Sequence, residues 1–206
     1  MEFESRLWKK INAYPDKKDL YLRLVPVLER IAGRQDAKPV YVIALDGRAA
    51  SGKTTMARQL AEILDADVIH MDDFFLPMEL RTEKRLATPG GNVHYERFRE
   101  EVLPHLAKPE PFAYRKFECS IKDYNGVRLI GTEPFRIVEG SYSLHPELGD
   151  YADLTVFSDV EPEEQLRRIR NRNGEEGAEM FRNRWIPLEE AYFRAYRIAE
   201  RADIRV

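Results

Sequence analysis

The chain has 206 residues, enough for one α/β domain with a sizeable core and room for a small insertion. Its net charge of -3 leaves no excess cationic field, which argues against general affinity for nucleic acid or an anionic membrane surface. The single cysteine, Cys119, excludes an internal disulfide and a cysteine-based zinc cluster. Met1-Glu2-Phe3-Glu4-Ser5-Arg6 lacks the basic and apolar regions of a signal peptide, and no apolar run approaches the ~20 residues of a membrane span. A soluble, cytoplasmic protein is expected.

Residues 1–38 read as an N-terminal extension of two helices broken near Tyr14-Pro15-Asp16. Leu20, Leu22, Leu24, Val25, Val27, Leu28 and Ile31 form the apolar face of the second, and Gly33 is a C-terminal stop. The face suits either an added layer packed on the remaining domain, 39–206, or a dimer surface. Val40 to Asp46 is an apolar, β-branched run that reads as a buried parallel strand. It leads into Gly47-Arg48-Ala49-Ala50-Ser51-Gly52-Lys53-Thr54, which fills every fixed position of G-x-x-x-x-G-K-[ST], and Thr55 to Leu64 then has helical spacing. Strand, glycine loop and helix N-terminus together make a phosphate cradle from converging backbone N–H groups of Gly47 to Thr55. Lys53 reaches the β- and γ-phosphates of a nucleoside triphosphate, and the Thr54 hydroxyl is a magnesium ligand.

Val68-Ile69-His70-Met71 is a short second strand that ends at Asp72-Asp73-Phe74-Phe75-Leu76-Pro77. Adjacent aspartates commonly cap a helix or close a turn. Past a strand beside the loop, one carboxylate can instead hold an acceptor hydroxyl in line with the γ-phosphorus. A helix follows at about 95–106. Residues 108–133, with Pro109, Pro111, Tyr114, Phe117, Tyr124 and Gly126, read as a small β-insertion over the cleft. The third strand, Phe135 to Glu139, ends in an acid that either points at magnesium or is an ordinary strand-end acid. Leu154 to Ser158 is a fourth strand, helices are expected at about 161–171 and 187–201, and Ile204-Arg205-Val206 supplies a fifth strand. Alternation of this kind implies a parallel sheet with helices on both faces and a ligand cleft at the strands' carboxyl ends.

Between 167 and 184, Arg167, Arg168, Arg170, Arg172, Arg182 and Arg184 bracket Asn173-Gly174-Glu175-Glu176-Gly177. A helix carrying arginines into a glycine-containing loop reads as a lid that excludes water and neutralises phosphate charge. The plainer reading is a solvated face on which Glu163 and Glu164 pair with Arg167 and Arg168.

In this order the motifs resemble the uridine kinase family of P-loop kinases, whose relatives include nicotinamide riboside kinase, pantothenate kinase and phosphoribulokinase. The shared pieces are Gly47 to Thr55, Asp72 to Phe75, Ile137-Val138-Glu139-Gly140, Leu166 to Arg170, and Trp185 to Tyr192 with Ala202-Asp203-Ile204. The resemblance covers residues 38–206 and implies a P-loop NTPase fold and an ATP- and magnesium-dependent small-molecule kinase. It also implies Asp72 as catalytic base with Asp73 secondary, Thr54 and Glu139 at magnesium, Lys53 on the phosphates, and Arg167 and Arg170 in the lid. Two departures concern the acceptor. His94, in Asn92-Val93-His94-Tyr95-Glu96, stands where the family carries an acid for the ribose hydroxyls. Tyr114 matches the insertion's tyrosine, but Cys119 replaces the pyrimidine-reading histidine five residues on. A nucleoside acceptor is expected, with nicotinamide riboside, pantothenate or another non-pyrimidine acceptor as the alternative and with homo-oligomers common among relatives. A nucleotide-binding regulatory module without an acceptor is the alternative of another class. No Asn-Lys-x-Asp segment supports a GTPase.

Overall fold

The structure, a computed structural model, describes residues 2–15, 18–34 and 38–206; Asp16, in the expected break between the first two helices, lies outside them. The strands are β1 (Tyr41–Gly47), β2 (Ala66–His70), β3 (Phe112–Glu118), β4 (Asp123–Ile130), β5 (Phe135–Glu139), β6 (Leu154–Ser158) and β7 (Ile204–Arg205). Five of them form one sheet in the order β2-β5-β1-β6-β7, with every pairing parallel. All seven residues of β1 are buried, because helices cover both faces of a central parallel strand.

The helices are α1 (Glu2–Ala13), α2 (Lys18–Leu22), α3 (Val25–Ala32), α4 (Lys53–Leu64), α5 (Glu83–Ala87), α6 (Tyr95–Glu101), α7 (Leu103–Leu106), α8 (Pro162–Met180), α9 (Ile186–Tyr196) and α10 (Ile198–Arg201). Alternation along β1 divides the core. Tyr41, Ile43 and Leu45 pack with Met56 and Leu60 of α4 and with Leu24, Val27 and Ile31 of the N-terminal helices. Val42, on the opposite face, packs with Val138, Phe157, Phe74, Phe98 and Tyr192. The extension is thus a layer over α4. β3 and β4 form a separate antiparallel hairpin within 108–133, with a register shift between Arg115 and Phe117.

Several helices differ from their expected extents for local reasons. The stretch from Leu20 to Ile31 is broken at Arg23-Leu24 because Pro26 has no N–H for the carbonyl of Leu22. Pro104 likewise cannot serve Glu100, so the helix expected over 95–106 divides at Val102. The helix expected to end near 171 runs to a break at Gly174 (φ 74°, ψ -179°), and a second helical segment reaching Met180 takes the place of the expected glycine-containing loop. A π-turn at Phe181–Trp185 then leads into α9, and the helix expected over 187–201 breaks at Arg197, whose φ is 52°. Among the described residues, no helix is long and apolar enough to cross a membrane.

Gly47 joins β1 to the loop at φ 140°, and a Cβ there would lie 2.0 Å from the carbonyl oxygen of Ser158. Because that obstacle is backbone, Gly47→Ala is expected to separate β1 from β6 and cost about 3 kcal/mol or more. Chemical denaturation of the purified variant measures the loss.

Candidate active site

Register aligns the ends of three strands. Leu45 pairs with Glu139, and Glu139 with His70, so the loop after β1, the acid ending β5 and the turn after β2 open on one edge. The sheet order reverses about β1, which makes this edge a topological switch point. Asp46 fixes the junction. Fully buried, its carboxylate accepts the N–H of Gly47 (2.7 Å), Tyr142 (3.1 Å) and Leu144 (3.0 Å) and the hydroxyl of Tyr192 (2.7 Å). Burial nevertheless pushes its carboxyl upward.

The loop runs from Gly47 to Gly52, and Lys53 to Thr55 open α4. Ala50 (φ 58°) and Gly52 (φ 100°) take left-handed backbone, which turns successive amides towards a common concavity. Ser51 is buried, and its N–H donates to Arg48 O at 3.1 Å. Lys53 is also buried, and its ammonium donates to Gly47 O (2.8 Å) and Arg48 O (2.6 Å) within its own loop. Arg48 points away to Asp159 (2.7 Å) and pairs with Glu190, tying the loop to β6 and α9. Glu189, buried on α9, accepts the Ala49 N–H (3.0 Å) and the Ser141 hydroxyl (2.7 Å), and burial raises its pKa against the pull of Lys53.

Thr54 Oγ1 donates to Glu139 Oε2 at 3.2 Å, while His70 Nδ1 lies 2.5 Å from Glu139 Oε1. A hydroxyl and a carboxylate converging beside a phosphate loop are the hard oxygen donors that suit magnesium. Among the described residues, no group of three or more His, Cys, Asp or Glu side chains is arranged for a metal. Magnesium here would draw its other ligands from phosphate and water.

The adjacent aspartates have different surroundings. Asp72 meets solvent, yet protein crowds the cleft around it. That crowding, followed by the charge of Glu139, pushes its carboxyl above the usual range, with Lys53 and His70 opposing. Lys53 and Asp72 both follow the carboxyl ends of parallel strands, β1 and β2, on this one edge of the sheet. Asp73 is buried and fully engaged: Oδ2 accepts the Tyr114 hydroxyl (3.0 Å) and Arg128 Nε (2.7 Å). Arg97, buried on α6, donates to the carbonyls of Asp73 and Arg115 and stacks 4.1 Å from the Phe74 ring centroid. These contacts clamp the hairpin to the Asp72 turn.

His94 lies beside that turn, its N–H donating to Phe74 O at 2.7 Å, and its buried Nδ1 has no hydrogen-bond partner. Burial, then Arg97, lowers its pKa. Cys119 is exposed at the turn of the hairpin, where crowding by the protein and then Asp72 raise its pKa while Arg81 lowers it. Arg167 and Arg170 are exposed, paired with Glu164 (2.6 Å) and Glu175 (2.6 Å). Arg168 turns inward and donates to Ala50 O at 3.1 Å.

Asp46, Arg97, Arg128 and Glu189 were not among the residues expected at the site. Asp46 had one sequence signal, a carboxylate inside an apolar strand immediately before the loop. Glu189 lies in the Trp185–Tyr192 stretch that carries part of the family resemblance. Arg97 and Arg128 had none, since a clamp between distant segments leaves no local pattern.

No model of a known protein family matches the chain. Over 98 residues it is 35% identical to pantothenate kinase of Haemophilus influenzae, covering 44% of this chain and 30% of that protein. Over 174 residues it is 25% identical to pantothenate kinase of Actinobacillus succinogenes, covering 75% of this chain and 54% of the relative. The chain therefore spans about half or less of these curated relatives. A solved structure of a possible uridine kinase from Bacillus stearothermophilus superposes with a TM-score of 0.69 at 19% identity, covering 91% of this chain and 98% of that one. The fold is an α/β P-loop NTPase fold, shared with that structure.

The paired acids are separable by experiment. Asp73→Ala leaves Arg128 and Tyr114 without their acceptor and is expected to cost about 2 kcal/mol. Asp72→Ala is expected to change stability by less than about 0.5 kcal/mol, because no hydrogen bond from the described residues holds its carboxylate. Urea denaturation of both variants checks the contrast.

Proposed function

We propose that this chain is an ATP- and magnesium-dependent kinase that transfers the γ-phosphoryl group to a hydroxyl of a small metabolite. The observation that carries this reading is the common edge formed by the loop, the Thr54–Glu139 pair and the raised carboxyl of Asp72. In the mechanism, the amides of Gly47 to Thr55 hold the triphosphate. Lys53 exchanges its two loop carbonyls for the β- and γ-phosphates. Thr54 and Glu139 would hold magnesium, which would supply charge neutralisation of the phosphate oxygens. Asp72 accepts the hydrogen bond of the acceptor hydroxyl, aligns its oxygen with the γ-phosphorus and takes the proton as that P–O bond forms and the bond from the γ-phosphorus to the β–γ bridging oxygen breaks, releasing ADP. Arg167 and Arg170 reach phosphate only if they leave Glu164 and Glu175 on closure of the lid.

Asp73 and Tyr114 support the acceptor pocket from beneath through their mutual hydrogen bond, and His94 and Cys119 border it. A nucleoside is the first acceptor class, from the resemblance to uridine kinases. Pantothenate is the second, favoured by the named sequence relatives. Coupled ADP release measured over nucleosides, vitamin precursors and sugars tests the whole proposal. Stimulation by one class is expected, and slow hydrolysis unchanged by every acceptor would overturn the kinase reading in favour of a regulatory module.

Asp72→Asn is expected to retain ATP binding and lose about 100- to 10,000-fold in turnover. The base must be ionised, and its pKa is raised. The acid limb of the rate profile should therefore lie above the ordinary aspartate value of about 3.9 and vanish in Asp72→Asn, as pH-dependent kinetics would reveal. Lys53→Ala removes a positive charge from the transferring group and should weaken ATP binding and lower turnover by about 100-fold or more. Calorimetric titration and steady-state rates check both effects.

A further inference from the structure

The N-terminal extension reaches the phosphate loop. Arg23, at the break between α2 and α3, donates Nη1 to Ser51 O (3.2 Å) and Nη2 to Ser158 Oγ (3.3 Å). Its Nη1 also lies 3.9 Å from where a Cβ on Gly52 would stand. The placement is built into the fold: neighbours Tyr21, Leu24 and Val27 are buried in the core shared with α4. From the other side, Arg168 donates to Ala50 O (3.1 Å) and approaches Ser51 O (3.5 Å). Two guanidinium groups therefore converge on one carbonyl.

Arg168 has a counter-ion in Glu164, at 2.7 Å. Arg23 has none among the described residues. Partial burial, then the charge of Arg168, lowers its pKa, so its charged form is held at a cost. An anion bound in the loop offsets that cost. The geometry also has a direct effect on the cradle. In a planar trans peptide the C=O and N–H point in opposite directions. Holding Ser51 O on the outer side of the loop aims the Gly52 N–H inward.

We propose that Arg23 is a positioning residue of the donor site, through which the N-terminal helices hold the Ser51–Gly52 peptide for polyphosphate and add charge that a bound triphosphate neutralises. This rests on the donor-site reading above. It assigns the extension a part in nucleotide binding that lies outside the 38–206 resemblance.

The test is calorimetric titration of the full chain with ATP and with inorganic tripolyphosphate, beside thermal unfolding without ligand. Arg23→Ala is expected to weaken both ligands about tenfold, while Arg23→Lys, which keeps the charge, recovers about half of that loss on a logarithmic scale. Arg23→Gln, which can still donate to Ser51 O, separates orientation from charge and serves if the alanine variant does not fold. The unfolding midpoint of unliganded Arg23→Ala and Arg23→Gln should stay level or rise, because a repulsion between like charges is removed, and that of Arg23→Lys should stay level. Wild-type affinity in both Arg23→Ala and Arg23→Gln would overturn the proposal and leave the donor site standing. So would a lowered midpoint in every variant with unchanged affinity, since that marks a purely structural contact. Failure of the unaltered chain to bind either ligand would overturn the donor-site reading, and this proposal with it.

Discussion

A buried carboxylate at the end of the central strand holds this architecture together. Asp46 is removed from water, which is costly for a charged group unless every lone pair finds a donor. Here three backbone amides and one phenol supply them, drawn from the loop, the turn after β5 and α9. Because no other described group offers the Tyr142 and Leu144 amides a comparable acceptor, the turn that follows Glu139 is fixed relative to the loop. The separation of Glu139 from Thr54 depends on that junction. The geometry of the Thr54–Glu139 pair is thus set from below, by a residue outside that pair.

The turn after β2 shows the same division of labour on a smaller scale. Asp73 and Asp72 are chemically identical and adjacent, yet only one is available for chemistry. Asp73 is consumed by Tyr114 and Arg128, and Arg97 secures the backbone beneath it. Asp72 is left projecting into the cleft with its proton affinity raised. The hairpin is therefore fastened to the same turn that carries Asp72.

Much of this was legible in the sequence because the signals were local. The run from Val40 to Thr55 states strand, loop and helix in consecutive residues, and β5 and β6 fall on Phe135–Glu139 and Leu154–Ser158 as the apolar runs imply. What escaped depends on contacts between segments far apart in the chain. Arg97 meets residues 18 and 24 positions away, and Tyr192 meets Asp46 across 146. The helical breaks were written in the sequence as Pro26 and Pro104, but apolar periodicity masked them. Gly174 marks a real break in helical geometry, but the residues beyond it form a second helical segment rather than a loop.

The resting conformation of Lys53 has a consequence for selectivity. Its ammonium is already satisfied by two carbonyl oxygens of its own loop. A lone orthophosphate must displace both bonds and receives little beyond one cation in exchange. A longer anhydride chain engages many amides at once and draws the ammonium out with it. On the donor-site reading proposed above, the free protein would therefore be self-quenched towards simple phosphate and would favour longer chains.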